Sequence, residues 1–269
     1  PRVRLDTMLM SARDAQVTRT IPVASSAAFQ SALDTSRYGD AIVLSSGITY
    51  TGTFLIRSKS GSGWITITSN ASIPPRGVRA RPSTSANWPK IVSSLPAVEA
   101  IRTELGAHGY RFVGVEITAQ PTFTNGYSIV SFGDGTSAQN TPAKIAYALI
   151  LDRVYLHGTA SYNFQRCIQL NSASSIVVDS WLSECHGKGF DSQAIGGWNG
   201  PGPFLIENNY LEGAGENILF GGASPSIVGQ LPSDIVVRRN YIFKQPTWKT
   251  SHQWSIKNLF ELFNLRKTN

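Results

Sequence analysis

No run of eighteen or more apolar residues occurs in this 269-residue chain. The most apolar stretches, Ile42 to Leu44, Ala146 to Leu151 and Ile176 to Val178, last a few positions each, too short to cross a bilayer as a helix. Cysteine is scarce. Cys167 and Cys185 are the only two, 18 positions apart, which builds neither a disulfide scaffold nor a structural zinc site. They are expected to be buried free thiols, even where neighbouring coils bring them within bridging reach. The chain also lacks a G-x-S-x-G elbow, a Walker loop, a dinucleotide fingerprint and an H-E-x-x-H pair, which removes the readings those motifs carry. It opens on Pro1, and its first twenty residues lack the apolar core of a secretion signal, so trimming of an earlier start is expected.

The net charge of +7 at first suggests an acidic polymer as partner. Its distribution qualifies that. Residues 91–237 carry twelve carboxylates against six Lys and Arg, and the basic excess lies toward the two ends. A nucleic-acid partner is therefore not expected, because no basic stripe with interleaved aromatics runs through the repeated body.

Ser25 to Arg37 places Ala28, Phe29, Ala32 and Leu33 on one helical face behind a serine N-cap. The rest reads as strands, among them Ala41 to Leu44, Thr49 to Ile56 and Trp64 to Thr68. From residue 110 a loose repeat appears in YRFVGVEIT, ALILDRVYL, IVVDSWL, FLIENNYL and IVVRRNYI. Aligning Val115, Val154, Trp181, Tyr210 and Tyr241 gives steps of 39, 27, 29 and 31 residues. A second series lies between them: Cys167 to Leu170, Phe190 to Ile195, Asn217 to Gly221 and Asn258 to Leu262. Short strands separated by Gly, Asn and Ser turns, at this period and without intervening helices, predict an all-β solenoid of stacked parallel coils. A sandwich of hairpins is disfavoured, since tight two-residue turns are scarce.

The segment FQSALDTSRYGDAIVLSSGITYTGTFLI followed by GSGWITIT resembles the start of pectate-lyase-like right-handed parallel β-helix proteins. In these a short helix caps the first coil before GD-x-I-x-L and G-x-Y motifs. NNYLEG, GENILFGG and IVVRRNYIF look like later coils of that superfamily, so the likeness spans roughly residues 25 to 262. It implies a right-handed parallel β-helix from 25 to 269 with a short N-terminal capping helix. Residues 1–24 are then an extension, and no C-terminal cap is visible. It also implies an extracellular or cell-surface carbohydrate-active protein, lyase-like, acting on or binding an acidic polysaccharide. A non-catalytic structural or adhesive solenoid and a glycoside hydrolase on the same scaffold are the alternatives.

A lyase of this kind needs a base for the proton α to a uronate carboxylate and a cation, often calcium, to neutralise that carboxylate. In the second strand series the polar residues fall at comparable places, and stacking brings Asp191, Glu216 and Glu261 onto one ridge beside Lys188 and Arg166. Lys188, Arg166 and Asp191 are the catalytic candidates. Asp191, Glu216, Asn217 and Glu261 are the candidate calcium ligands, Glu216 and Asn217 by a faint likeness to the calcium strand of alginate and chondroitin lyases. The lysine that follows there in that family is absent here. Trp198, in the Gly-Pro loop 196–203, and His186 are the substrate-binding candidates. A hydrolase would instead use Asp191 and Glu216 as its carboxylate pair.

Arg238 and Arg239 are expected to pair with Glu207 or Asp179, one of them internal unless a turn intervenes. Asn171, Asn209 and Asn240 are internal ladder candidates at corners. His108, His157 and His252 have no partner at metal or triad spacing. Trp254 to Leu265 reads as a closing apolar strand, covered by a second copy in an end-to-end dimer, with Lys257, Arg266 and Lys267 restraining further growth.

Overall fold

A computed structural model describes residues 2–263, with side chains from Arg4 onward. Three parallel sheets form the faces of a solenoid; the first turn contributes a strand to one sheet only, and each complete turn after it contributes one strand to each. Sheet A has eight strands, from Arg19–Val23 to Ile235–Arg238; sheet B has seven, from Thr49–Thr51 to Tyr241–Phe243. Sheet C also has seven: Phe54–Ile56, Ile101–Thr103, Asn125–Gly133, Asn163–Asn171, Gln193–Gly197, Glu216–Phe220 and Phe260–Leu262. The parallel β-helix expected from the repeat is the observed fold.

Stacking places like residues above one another, so the core is three inward columns. Sheet A supplies Ile42, Ile67, Phe112, Leu151, Val177 and Ile206. Sheet B supplies Tyr50, Ile91, Ile117, Leu156, Leu182 and Leu211. Sheet C supplies Phe54, Ile101, Val130, Ile168, Ile195 and Ile218. All are at most 2% exposed, and burying each is worth about 1.5–3 kcal/mol.

The A-to-B corner is a repeated left-handed residue. Gly114, Arg153, Asp179, Asn208 and Arg239 all hold φ between 53° and 67°. The residue after each points inward, and there the expected asparagine ladder forms. Asn209 Oδ1 accepts from the Ser180 backbone N–H, its Nδ2 donates to Val177 O, and Asn240 Nδ2 donates to Ile206 O. Asn171 caps a different corner, its Oδ1 accepting from the N–H groups of Trp198 and Asn199. This corner corrects the repeat alignment by one residue: Glu116 and Tyr155, not Val115 and Val154, lie in register with Trp181, Tyr210 and Tyr241. Arg239 sits in the turn, which lets it and Arg238 both reach Glu207.

Three further expectations are corrected. Cys167 and Cys185 form a disulfide inside the coil, joining sheets C and B with Cα atoms 5.5 Å apart; side chains on adjoining faces of one coil converge on its narrow interior. Residues 1–24 are not an appendage. Arg19–Val23 is the first strand of sheet A, and helix α1 (Arg2–Arg13) lays Leu5, Leu9 and Ala12 on the outer face of sheet A against Ile150, Ile176 and Leu205. Helix α2 (Ser26–Thr35) has its N-cap at Ser25, whose Oγ accepts from Ala28 N–H; it buries Phe29, Ala32 and Leu33 but leaves Ala28 exposed. At the far end only Phe260–Leu262 of the expected closing strand is paired, and Leu265, Arg266 and Lys267 lie outside the described residues.

Candidate functional site

Strict alternation would place every second residue of sheet C outside. The long strands break that rule, because two consecutive residues turn inward on each: Ile129–Val130, Cys167–Ile168 and Ala194–Ile195, with Asn217–Ile218 in the same register. Two outward rows result, three residues apart. One is Ser128, Arg166, Gln193, Glu216; the other is Ser131, Gln169, Gly196, Leu219, Glu261. Ser131, Arg166, Gln169, Gln193 and Leu219 of these rows floor a groove of about 630 Å³ walled by Glu99, Arg102, Tyr127, Asp134, Asp191 and Trp198.

Arg166 is the centre of the groove floor. Its guanidinium lies 4.5 Å from the centre of the Trp198 ring, and its Nη1 donates to Gln165 Oε1 at 2.9 Å. Gly196 makes room beneath it, since a Cβ there would come within 2.9 Å of Arg166 Nε. Burial pushes the guanidinium down to about 10, against the opposing pull of Glu216 and Asp191, so it stays a cation at neutral pH. Arg166 Nε, Gln193 Oε1 and Ser128 Oγ, all in one row, are buried with no hydrogen-bond partner. Such groups are rare in folded proteins, and each costs about 1–3 kcal/mol unless something binds it.

The carboxylates of Glu216 in this row and of Asp191 on the groove wall are already engaged. Glu216 has no exposed surface; its Oε2 accepts from Gln193 Nε2 at 2.7 Å, and its Oε1 lies 2.9 Å from Lys257 Nζ. The same ammonium is 2.9 Å from Asp191 Oδ2, and its bonds to the two carboxylates raise its pKa. Lys257 thus stands where a cation between Asp191 and Glu216 would stand. Calcium takes six to eight oxygens, and among the described residues no three His, Cys, Asp or Glu converge on a point. The nominated residues do not fit a calcium ion. Asn217 points into the corner, where its Nδ2 donates to Leu211 O and Phe243 O, and Glu261 accepts from Asn258 in the row beyond.

The remaining candidates divide. Arg166, Asp191 and Trp198 all border the groove. Trp198 is turned to Arg166 and to Gly135 O rather than presented as a free platform. Lys188 is exposed in a turn, its backbone N–H held by Asn163 Oδ1, and it does not line the groove. His186 is fully buried, stacked 3.8 Å from Trp254, edge-on to Trp248 and bonded to Glu184, because residues 244–257 fold back across it. His157, which has no partner at metal or triad spacing in the sequence, meets Glu116 of the neighbouring coil at 2.9 Å on sheet B.

The sequence does not single out Gln193, and it marks Lys257 only as a charge near the far end, not as the partner of Asp191 and Glu216. Gln193 lies inside the recognised strand and is marked only by its register with Arg166 and Glu216.

No family model matches the chain, and no curated protein matches it. Among solved structures, the alginate lyase from Paenibacillus sp. str. FPU-7 is similar at 16% identity and a TM-score of 0.39, over 93% of this chain and 100% of that one. At that score nothing about activity is carried across.

Proposed function

We propose that this chain is a carbohydrate-active β-helix protein that holds an acidic polysaccharide along the outer face of sheet C. The observation that carries this reading is the unsatisfied row. A half-buried cation with a buried, free N–H, Arg166 Nε, adjoins a free acceptor, Gln193 Oε1. A sugar hydroxyl both donates and accepts, so it matches such a pair, and a uronate carboxylate matches the guanidinium. The internal disulfide supports export to an oxidising compartment.

β-Elimination is the finer form of this reading. Arg166 then neutralises the uronate carboxylate, and Asp191, half exposed on the groove wall, is the acid–base group. The hydrolase alternative is weaker, because Glu216 is sealed under Lys257 and Gln193 and does not face a glycosidic bond.

Incubation with polygalacturonate, alginate and chondroitin, with calorimetry in parallel, tests the proposal. Binding with ultraviolet absorbance from an unsaturated product supports a lyase, and binding alone supports a glycan-holding solenoid. New reducing ends without that absorbance point to hydrolysis. Neither heat nor product on any acidic glycan overturns the reading.

A further inference from the structure

Beside the groove lies a second hollow of about 380 Å³ at the start of the sheet C strands. It shares Tyr127 and Gln165 with the groove and is closed by Phe190, Asn125 and Asn163. Its character differs. No Lys, Arg, Asp or Glu lines it, and two aromatic side chains stand open to solvent there, Tyr127 at 67% and Phe190 at 36% exposure. The Phe190 ring folds over Gly187, where any Cβ would meet it at 2.4 Å. The two asparagines are adjacent in register and joined, Asn163 Nδ2 donating to Asn125 Oδ1 at 2.8 Å, which fixes their side chains before any ligand arrives.

Two exposed rings lining one hollow suit the C–H face of a pyranose, while amides suit its hydroxyls. We infer that this hollow is a second sugar-ring subsite, taking the unit next to the one whose carboxylate meets Arg166. This rests on the polysaccharide reading above and adds a consequence to it. The subsite recognises its ring by stacking and amide bonds and not by charge, so affinity grows with chain length even where the extra unit brings no new ion pair.

Titration of galacturonate and mannuronate monosaccharides and disaccharides into the wild-type protein, Tyr127→Ala, Phe190→Ala and Tyr127→Phe tests it. The disaccharide should bind the wild type more tightly than the monosaccharide. Each alanine variant should lose about tenfold of that gain, the scale of one aromatic contact, and Tyr127→Phe should keep it; Phe190→Ala, which lies outside the groove, should leave monosaccharide affinity unchanged. Tyr127 is an open surface side chain, so thermal melting of Tyr127→Ala should stay at the wild-type value. A length gain that survives both alanine variants overturns the subsite and leaves the groove reading intact. Absence of binding by any oligomer to the wild type overturns both.

Discussion

Two buried ionic clusters on this solenoid show how differently the same residue types are used. On sheet A, Asp152 is fully buried and accepts six hydrogen bonds, two each from Arg13, Arg111 and Arg153. Arg13 also reaches Asp179, which accepts in addition from Gly77 N–H and Asn208 Nδ2. No side-chain atom of Arg13, Arg111, Asp152, Arg153 or Asp179 is left buried without a partner. On sheet C, the row of Ser128, Arg166 and Gln193 has three such atoms, and its Arg166 and Gln193 open on a groove. A closed cluster holds parts of the chain together, here helix α1 to the sheet it covers. The cluster on sheet C keeps polar atoms unpaired beside a groove, which is why the glycan is proposed to lie there.

The largest effect should come from breaking the closed cluster. Asp152→Ala leaves three arginines without their shared carboxylate, and removing one partner of a buried ion pair costs about 3–5 kcal/mol. Chemical denaturation should show that loss, and glycan binding by the folded fraction should not change. Next is the disulfide. Cys167→Ser with Cys185→Ser should cost about 2–4 kcal/mol, read as a lower denaturation midpoint under non-reducing conditions. A third test uses acid. The bonds from Arg13 and Arg153 and the charge of Arg111 outweigh burial and hold the Asp152 carboxyl far below its ordinary value of about 3.9. Its stabilisation is therefore complete above that pH and is lost as pH falls below it toward the folded-state value. Unfolding free energy should decline below about pH 4, and Asp152→Asn should flatten that decline.

Much of the fold was legible because stacking repeats its chemistry. β-Branched and leucine residues recur at the inward positions, and Asn209 and Asn240 recur at one corner. Helix α1 was not legible, since Leu5, Leu9 and Ala12 cover the outer face of a sheet, where solvent was expected. The site was half legible. Alternation put Arg166 outside correctly, but the paired inward residues turned Asn217 into the corner, and no periodicity announces such a bend. His186 and Lys257 depend on the 244–257 segment folding back, a tertiary contact between non-repeating stretches. Bridging reach between the two cysteines was legible but free thiols were expected, whereas side chains on adjoining faces converge on the narrow interior and pair.

The smallest stability effect, and the most direct test, belongs to Arg166. Arg166→Gln removes a desolvated charge with a free N–H while keeping a side chain over Gly196, so denaturation should shift by no more than about 1 kcal/mol. Calorimetric titration of a uronate tetrasaccharide into wild type and variant is the decisive measurement. A charged hydrogen bond to a carboxylate is worth about 1.5–3 kcal/mol, so affinity should fall roughly tenfold to a hundredfold. Equal affinity in the two folded proteins would contradict the assignment of the incomplete row to glycan binding.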